Sequence, residues 1–295
     1  MKLITFEIEN KIQIGALKED RIIPFSQNSE IPRDMLGFLE GGEQALNRAR
    51  ELFETSKAFI ESRYVKILKP ILRPPKIIAI GLNYADHLDE IRASGREMET
   101  PEVPMIFNKQ SLSANGPFDD IHKPFVSDKL DYEGELTIVI GKKCRHIRKD
   151  KAKEVIAGYS IGNDISVRDW QLRVPTFTIG KSFDTHCPFG PSIVTKDDII
   201  DPHKLDLVTE VNGEIRQKSN TKHLIFNCYD IIEHLSTAFT LEPGDLILTG
   251  TPSGVGVVDN LFLKHGDIVK VSISEIGFIE NKIINEPLEL SLIHI

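Results

Sequence analysis

Two glutamates and one aspartate stand in apolar, strand-like segments where they could hold a metal ion together. Glu133 and Glu135 lie two residues apart in DYEGELTIVIG, and Asp164 lies in the later segment YSIGNDISV. Alternate residues of a strand share a face, so the two glutamates would start about 7 Å apart and could converge on one cation. A hard divalent cation, which prefers oxygen ligands, would relieve the repulsion among buried carboxylates.

The same residues have a simpler interpretation. Glu133 and Glu135 could form the exposed polar face of a strand, and Asp164 could pair with Arg168 or with a lysine, since a buried carboxylate needs some partner. Spacing alone does not separate a metal site from ordinary ion pairs, so both interpretations stay open at this point.

Two further groups could move a proton or stabilise negative charge. His87 and Glu90 are three residues apart in NYADHLDEIR, so on a helix they share a face, and the carboxylate could orient the imidazole and raise its basicity. Lys181 lies in TIGKSFDTHCPFGP, where glycine and prolines could hold its ammonium beside a developing oxyanion. The ordinary alternatives are a helix-surface pair and a solvated lysine.

The segment LTGTPSGVGV, which follows the apolar run DLIL, could form a ligand-binding loop. Gly250, Gly254 and Gly256 would allow the backbone to approach a ligand, and its N–H groups with the Thr251 hydroxyl could hold a carboxylate. The segment lacks the lysine and following helix of a phosphate-binding loop, and it differs from a dinucleotide-binding fingerprint. A plain turn is equally compatible with these glycines.

Composition and charge narrow the class of protein. The 295 residues are 40% apolar and 27% charged, as in an ordinary globular enzyme, and a net charge of −8 argues against nucleic acid as a partner. Three widely spaced cysteines argue against disulfides and structural zinc, and Cys187 is expected to pack rather than react. We find no signal peptide and no membrane-spanning run, and we expect a cytoplasmic protein.

The N-terminal part of the chain has its own pattern. Residues 2–24 alternate like a short β-meander, and residues 42–62 have the apolar spacing of a surface helix. Prolines at 70, 74 and 75 interrupt the pattern. We therefore expect a small α+β domain over residues 1–70.

The remaining residues, 71–295, must position the candidate site. Short β-rich runs dominate them and are not regularly interleaved with helices, so a mixed or antiparallel α+β fold fits better than a doubly wound parallel sheet. Asn212-Gly213 predicts a hairpin, and the polar segment 88–103 could be a lid. Helices are expected at 84–93, 150–156 and 229–238.

Six segments, in this order, resemble the fumarylacetoacetate hydrolase family and cover about residues 75–283. The resemblance is closest to its domain-containing-protein 2 branch, through the Arg-Asp-Trp-Gln and Lys-x-Phe-Asp-Thr stretches. The matching segments are IGLNYADHLDE (80–90), DYEGELTIVIGK (131–142), GYSIGNDISVRDWQ (158–171), IGKSFDTHCPFGP (179–191), TEVNGEIRQKSNT (209–221) and LEPGDLILTGTPSGVGV (241–257).

The resemblance implies a fold, an assembly and a cofactor. The fold would be α+β and β-rich, with a mixed β-roll or β-sandwich catalytic domain after the small N-terminal domain, usually in a homodimer. The cofactor would be Mg²⁺ or Mn²⁺. Its ligands would be Glu133, Glu135 and Asp164, which favours the metal-site interpretation over the ion pairs.

The resemblance also implies roles for residues around the metal. His87 and Glu90 match a catalytic pair on a mobile helix, and Lys181 and Gln171 match residues near the metal.

Substrate binding is implied for a second set of residues. The Gly250, Thr251 and Pro252 loop would bind the substrate carboxylate. Tyr84 and Arg168 are expected to shape the pocket.

The activity expected first is hydrolysis of a C–C bond in a β-dicarbonyl 2-oxo acid such as an acylpyruvate. His87, oriented by Glu90, would take a proton from water, while the cation polarises the 2-oxo acid. Decarboxylation or keto–enol tautomerisation of oxaloacetate, and isomerisation or hydration of 2-hydroxydienoates, need the same enolate and stay open. A metal-stabilised binding protein without turnover would have no need for the His87–Glu90 pair.

Overall fold

A computed structural model describes residues 1–93, 95 and 99–287. The lid expected at 88–103 falls partly outside these residues, as does the end of the expected catalytic domain, 288–295.

The helices of the described residues are α1 (Met35–Glu40), α2 (Gly42–Thr55), α3 (Ala85–Ala93), α4 (Ala152–Val155), α5 (Arg168–Gln171), α6 (Cys228–Ala238) and α7 (Gly256–Asp259), with 3-10 turns at Phe25–Gln27, Ser62–Tyr64, Ser111–Ser113, Lys149–Lys151 and Thr221–His223.

Strands dominate over helices, which confirms the mixed, strand-rich α+β architecture expected from the sequence. In chain order they are β1 (Lys2–Ile8), β2 (Lys11–Lys18), β3 (Arg21–Pro24), β4 (Ile60–Glu61), β5 (Lys66–Leu68), β6 (Ile77–Gly81), β7 (Met105–Lys109), β8 (Ala114–Asn115), β9 (Ile121–Lys123), β10 (Leu130–Asp131), β11 (Gly134–Ile140), β12 (Ile156–Asn163), β13 (Ser166–Val167), β14 (Cys187–Thr195), β15 (Asp206–Val211), β16 (Glu214–Asn220), β17 (Leu246–Leu248), β18 (Ile268–Ile273) and β19 (Gly277–Asn285).

Within the described ranges these strands form one large sheet and two smaller ones. The large sheet has the order β4-β3-β2-β1-β14-β12-β11-β17-β6-β7, with β5 beside β1 and β8 beside β14. A second sheet, β16-β15-β18-β19-β9, packs against its β11, β12 and β14, while β10 and β13 form a separate pair. Most pairs are antiparallel, but β6 and β17 run parallel.

The strand β11 is buried on both faces, which fixes the position of the residues at its start. Leu136 and Ile138 pack into a cluster that reaches the second sheet and α6, while Val139 packs into a cluster with α1 and α2. This alternation agrees with the period-2 pattern of the sequence. The turn at Asn212-Gly213 is confirmed as well, since both residues have positive φ angles, 52° and 80°, between β15 and β16.

The N-terminal meander is confirmed, and its strands continue the large sheet. β1 pairs with β2 on one side and with β14 on the other, where Leu3 lies opposite Ile193. The helix expected at 42–62 ends earlier, at Thr55, because Ser56 is extended and residues 60–61 pair with β3 instead. The division of the chain near residue 70 stays a prediction, although both parts share one sheet and one apolar cluster.

The three helices expected beyond residue 71 are confirmed as α3, as α4 with the turn before it, and as α6. Asn227 begins α6 with a capping box, since its side chain accepts from the Asp230 N–H and Asp230 accepts from the Asn227 N–H. None of the helices in the described part of the chain is long and apolar enough to cross a membrane.

We expect that a chain beginning at Pro74 will not reach the native fold in soluble form. Such a chain lacks β1, so the edge of β14 that pairs with β1 would be left open. The apolar cluster that Leu3 and Phe25 share with Val139 and Ile193 would also be exposed. Soluble yield and the melting curve by circular dichroism would measure this. Supplying residues 1–73 as a separate chain should restore folding, whereas a melting temperature equal to that of the full chain would contradict the prediction.

Candidate active site

The three candidate metal ligands meet where β11 begins and β12 ends. The register of this antiparallel pair places Gly134 opposite Asn163, so Glu133 and Asp164 come side by side. The Asp164 N–H donates to the Glu133 carbonyl at 2.8 Å, and the Glu133 N–H donates to the Asn163 side-chain oxygen at 3.0 Å. One oxygen from each of Glu133, Glu135 and Asp164 lies within 4.8 Å of the others, and all three residues are buried.

A glycine holds the third carboxylate in place. The Gly250 N–H donates to Glu135 Oε2 at 2.6 Å. Gly250 has a φ angle of 101°, and a Cβ atom there would lie 2.8 Å from the Cβ of Asn83, so a larger residue would be both strained and crowded. Asn83 fixes this turn from the other side by donating to the Thr249 carbonyl at 2.7 Å.

Two cations balance part of the carboxylate charge. Lys181 Nζ lies 2.7 Å from Glu133 Oε2 and 2.8 Å from Asp164 Oδ2, and Arg168 Nη1 lies 2.6 Å from Glu133 Oε1. The alternative that Asp164 pairs with a lysine therefore describes a real contact, but that contact lies inside the carboxylate cluster. The ammonium of Lys181 shows that the cluster accepts positive charge between Glu133 and Asp164.

Glu135 carries the negative charge that these cations balance least. Burial raises its pKa well above the usual range, and the charges of Asp164 and Glu133 raise it further. Burial also raises the pKa of Glu133, but Lys181 and Arg168 outweigh it and bring this pKa to about 2. Three buried oxygen donors with too little positive charge near one of them suit a hard divalent cation such as Mg²⁺ or Mn²⁺.

Lys109 belongs to the cluster and was missed by the sequence analysis. Its side chain is fully buried, and Nζ lies 2.6 Å from Asp164 Oδ1 and 3.2 Å from the Ile165 carbonyl, with a further contact to the Lys181 carbonyl. The sequence feature that could have identified it is its position at the end of the largely apolar strand β7. A lysine is rarely buried at such a position unless it is paired. Its partner could not be identified from the sequence.

Asp131 was also missed, although it begins the DYEGE segment. It is fully buried and accepts from the Gly256 N–H at 2.8 Å, from the Val257 N–H at 3.0 Å and from Arg168 Nε at 2.7 Å. It therefore ties the start of α7 to the guanidinium group that contacts Glu133.

The glycine-rich loop gives its N–H groups to carboxylates of the protein itself. Besides Gly250 with Glu135 and Gly256 with Asp131, the Gly254 N–H donates to Glu90 Oε1 at 2.8 Å. The Thr251 hydroxyl donates to the Gly134 carbonyl at 3.0 Å. It also accepts from Gln217 Nε2, which reaches the Pro252 carbonyl as well. The loop thus joins the acidic cluster to α3.

The candidate base pair lies on one face of α3, as its spacing predicts. His87 Nδ1 is 3.0 Å from Glu90 Oε2, and Glu90 is itself held by Gly254. A carboxylate at Nδ1 favours the tautomer that carries its proton there, so Nε2 is left as the proton acceptor.

A cavity of about 570 Å³ brings part of the predicted site together. The Gln171 side-chain oxygen accepts from Arg168 Nη1 at 2.9 Å, and its amide nitrogen has no acceptor among the described residues. Tyr84 is fully buried, and its hydroxyl has no hydrogen-bond partner among the described residues. The predicted residues that line the cavity are His87, Glu133, Arg168, Gln171, Lys181 and Thr251. Those outside the lining are Tyr84, Glu90, Glu135, Asp164, Gly250 and Pro252.

Cys187 has the environment of a packing residue. It is fully buried, and burial raises its pKa to about 12, so the nucleophilic thiolate is disfavoured.

A strand-rich fold thus combines a buried triad of carboxylates that could hold a metal ion with a histidine–glutamate pair whose histidine lines the cavity. Residues 76–284 match the family described as fumarylacetoacetate (FAA) hydrolase C-terminal. The chain belongs to the fumarylacetoacetate hydrolase family, and the resemblance seen in the sequence motifs is confirmed.

Individual relatives agree with this family. The chain is 45% identical over 257 residues to "Oxaloacetate tautomerase Fahd2a, mitochondrial" of Rattus norvegicus, covering 86% of this chain and 80% of the rat protein. It is similar to the solved fumarylacetoacetate hydrolase of Exiguobacterium antarcticum, with a TM-score of 0.82, 35% identity, and 97% and 100% of the two chains covered. It is also similar to the maleylpyruvate hydrolase of Sphingobium sp. SYK-6, solved with manganese(II) and pyruvate, with a TM-score of 0.81, 29% identity and the same coverage.

Replacing Glu135 with Gln should remove most of the stabilisation that Mn²⁺ gives to the folded protein. At a free ion concentration of about 100 times Kd, binding adds about 2.7 kcal/mol to the free energy of unfolding, and the variant loses one of three charged ligands. The stability without metal should change little, because the amide removes a charge that burial and the nearby carboxylates disfavour, and its oxygen can still accept from Gly250. Denaturant unfolding with Mn²⁺ and with a chelator would measure both.

The matched control is Glu51→Gln, at an exposed position on α2. It should retain the full effect of Mn²⁺. An equal metal effect in Glu135→Gln and the unmodified protein would show that Glu135 is not a ligand.

Proposed function

We propose that this protein is a divalent-metal-dependent enzyme that interconverts the keto and enol forms of oxaloacetate. The observation that carries the proposal is that His87, fixed at Nδ1 by Glu90, lines the same cavity as Glu133 and Lys181. Proton removal beside a carbonyl needs such a combination, with a base near a centre of positive charge. The printed name of the rat relative, oxaloacetate tautomerase, supports the substrate.

The donor set supports Mg²⁺ or Mn²⁺ as the cofactor, held by Glu133, Glu135 and Asp164. The manganese ion in the maleylpyruvate hydrolase structure supports the same choice. When bound, the ion would withdraw electrons from the 2-oxo group and lower the energy of the enolate.

The protein's own residues would then direct the proton. His87 Nε2 takes a proton from C3 of the keto form, and the protonated imidazole returns that proton to the C2 oxygen to complete the enol; the reverse steps regenerate the ketone. Lys181 and the free amide N–H groups of Gln171 would stabilise negative charge on the C2 oxygen. Arg168 keeps Gln171 oriented and is itself held by Asp131. Thr251 would form the wall on the side of the glycine-rich loop.

Hydrolysis of an acylpyruvate-like C–C bond is the second candidate. It is favoured by the similarity to a maleylpyruvate hydrolase and by the ability of the same His87–Glu90 pair to take a proton from water. Decarboxylation of oxaloacetate and isomerisation of 2-hydroxydienoates use the same enolate and stay alternatives. The reactions differ in whether water attacks carbon and in which bond breaks.

Assembly and location follow as further proposals. The homodimer implied by the sequence motifs stays a prediction that sedimentation analysis would test. The name of the rat relative places that protein in mitochondria, so a mitochondrial location is a candidate for this chain beside the cytoplasmic one expected first.

Replacing His87 with Asn should lower kcat for oxaloacetate tautomerisation about 10²- to 10⁴-fold, the usual contribution of a positioned base. Stabilisation by Mn²⁺ should remain, because His87 is not among the carboxylate ligands. The decay of enol absorbance with and without Mn²⁺ measures the activity. His223→Asn, at an exposed position outside the cavity lining, is the control.

Product analysis separates the alternatives in the same experiment. Enol decay without release of carbon dioxide supports tautomerisation, carbon dioxide supports decarboxylation, and acetate from acetylpyruvate supports hydrolysis. No acceleration of enol decay by the Mn²⁺-loaded protein would overturn the proposed function.

A further inference from the structure

Lys129 is a cavity-lining cation without an ion-pair partner. In the described part of the chain, no carboxylate lies within 4.0 Å of its ammonium group. Its backbone is nevertheless fixed on both sides, because its N–H donates to Ser127 Oγ at 3.0 Å and its carbonyl accepts from the Arg168 N–H at 2.9 Å. Lys129 is thus an exposed residue of the cavity lining, and its backbone is fixed.

The other cations of the cavity wall are already neutralised. Arg168 contacts Asp131 and Glu133, and Lys181 contacts Glu133 and Asp164. A second carboxylate on a substrate could pair with Arg168 or Lys181 only by competing with the buried protein carboxylates that already contact them. Lys129 offers its charge without such competition.

The rest of the wall favours apolar groups. Besides the cations and the predicted site residues His87, Glu133, Gln171 and Thr251, the polar positions of the described lining are Asp169 and Asn260. Asp169 accepts from Ser127 Oγ at 2.6 Å, and its negative charge would repel an anion. The apolar part of the lining comprises Ile80, Leu82, Met105, Phe107, Leu172, Phe177, Val255, Val257, Val258 and Phe262. A second charged group on a substrate would be costly to bury against this surface unless it is paired.

We propose that Lys129 binds the distal carboxylate of a 2-oxo dicarboxylate and so makes the enzyme selective for dicarboxylates over 2-oxo monocarboxylates of the same size. The inference rests on the proposed function, since it assigns the 2-oxo acid group to the end of the cavity where Glu133 and Lys181 lie. Lys129 acts on substrate choice and takes no part in proton transfer.

Oxaloacetate and acetylpyruvate provide a matched pair of ligands. Both contain a 2-oxo acid group, but oxaloacetate carries a distal carboxylate where acetylpyruvate carries a neutral acetyl group. Lys129→Met should raise KM for oxaloacetate tautomerisation about tenfold with little change in kcat, and should weaken oxaloacetate binding to the Mn²⁺-loaded protein equally in calorimetry. Acetylpyruvate binding should not change. The salt dependence of oxaloacetate binding should also weaken in the variant.

Lys129→Arg, which keeps the charge, should restore most of the affinity for oxaloacetate, and Lys222→Met, at an exposed lysine outside the cavity lining, should change neither ligand. Equal effects of Lys129→Met on both ligands, or no effect on either, would overturn the inference. An unmodified protein that binds oxaloacetate without converting it would overturn the proposed function alone, and the calorimetry would still decide the role of Lys129. Failure to bind oxaloacetate at all would overturn both.

Discussion

The balance of charge in a buried cluster is the constraint on which the rest of this structure depends. Glu133, Glu135 and Asp164 stand at the junction of two strands whose apolar faces exclude water, so each negative charge needs a nearby partner. Lys181 and Lys109 supply positive charge from other parts of the chain. Glu135 receives the least, and its raised pKa marks the place where a divalent cation would gain most.

Hydrogen bonds to backbone N–H groups join this cluster to the base on α3. Three carboxylates hold the glycine-rich loop: Glu135 at Gly250, Glu90 at Gly254, and Asp131 at Gly256. The group that orients His87 is therefore anchored to the same loop as a candidate metal ligand. Small movements of this loop would therefore shift the positions of His87 and of Glu135 together, because one segment supports both.

This arrangement explains why several reactions can be considered for one site. Polarising a 2-oxo acid and placing a base beside it produces an enolate, which is common to tautomerisation, decarboxylation and C–C cleavage. The charged end of the cavity is thus suited to a class of intermediate. The rest of the lining, which is largely apolar and includes Lys129, bears on which molecule enters.

The sequence by itself determined the strand-rich class, the meander, the Asn212-Gly213 hairpin and the helical spacing of His87 and Glu90, because each depends on local periodicity or turn chemistry. It also identified the carboxylates as candidates, and family motifs favoured a metal. Tertiary structure decided what local patterns do not encode: that β1 continues the central sheet, and that Lys109 and Asp131 belong to the charged network. The partners of Lys109 and Asp131 are distant in sequence and become their neighbours only through strand register and loop packing. The sequence therefore showed that both residues are charged but not which groups they contact.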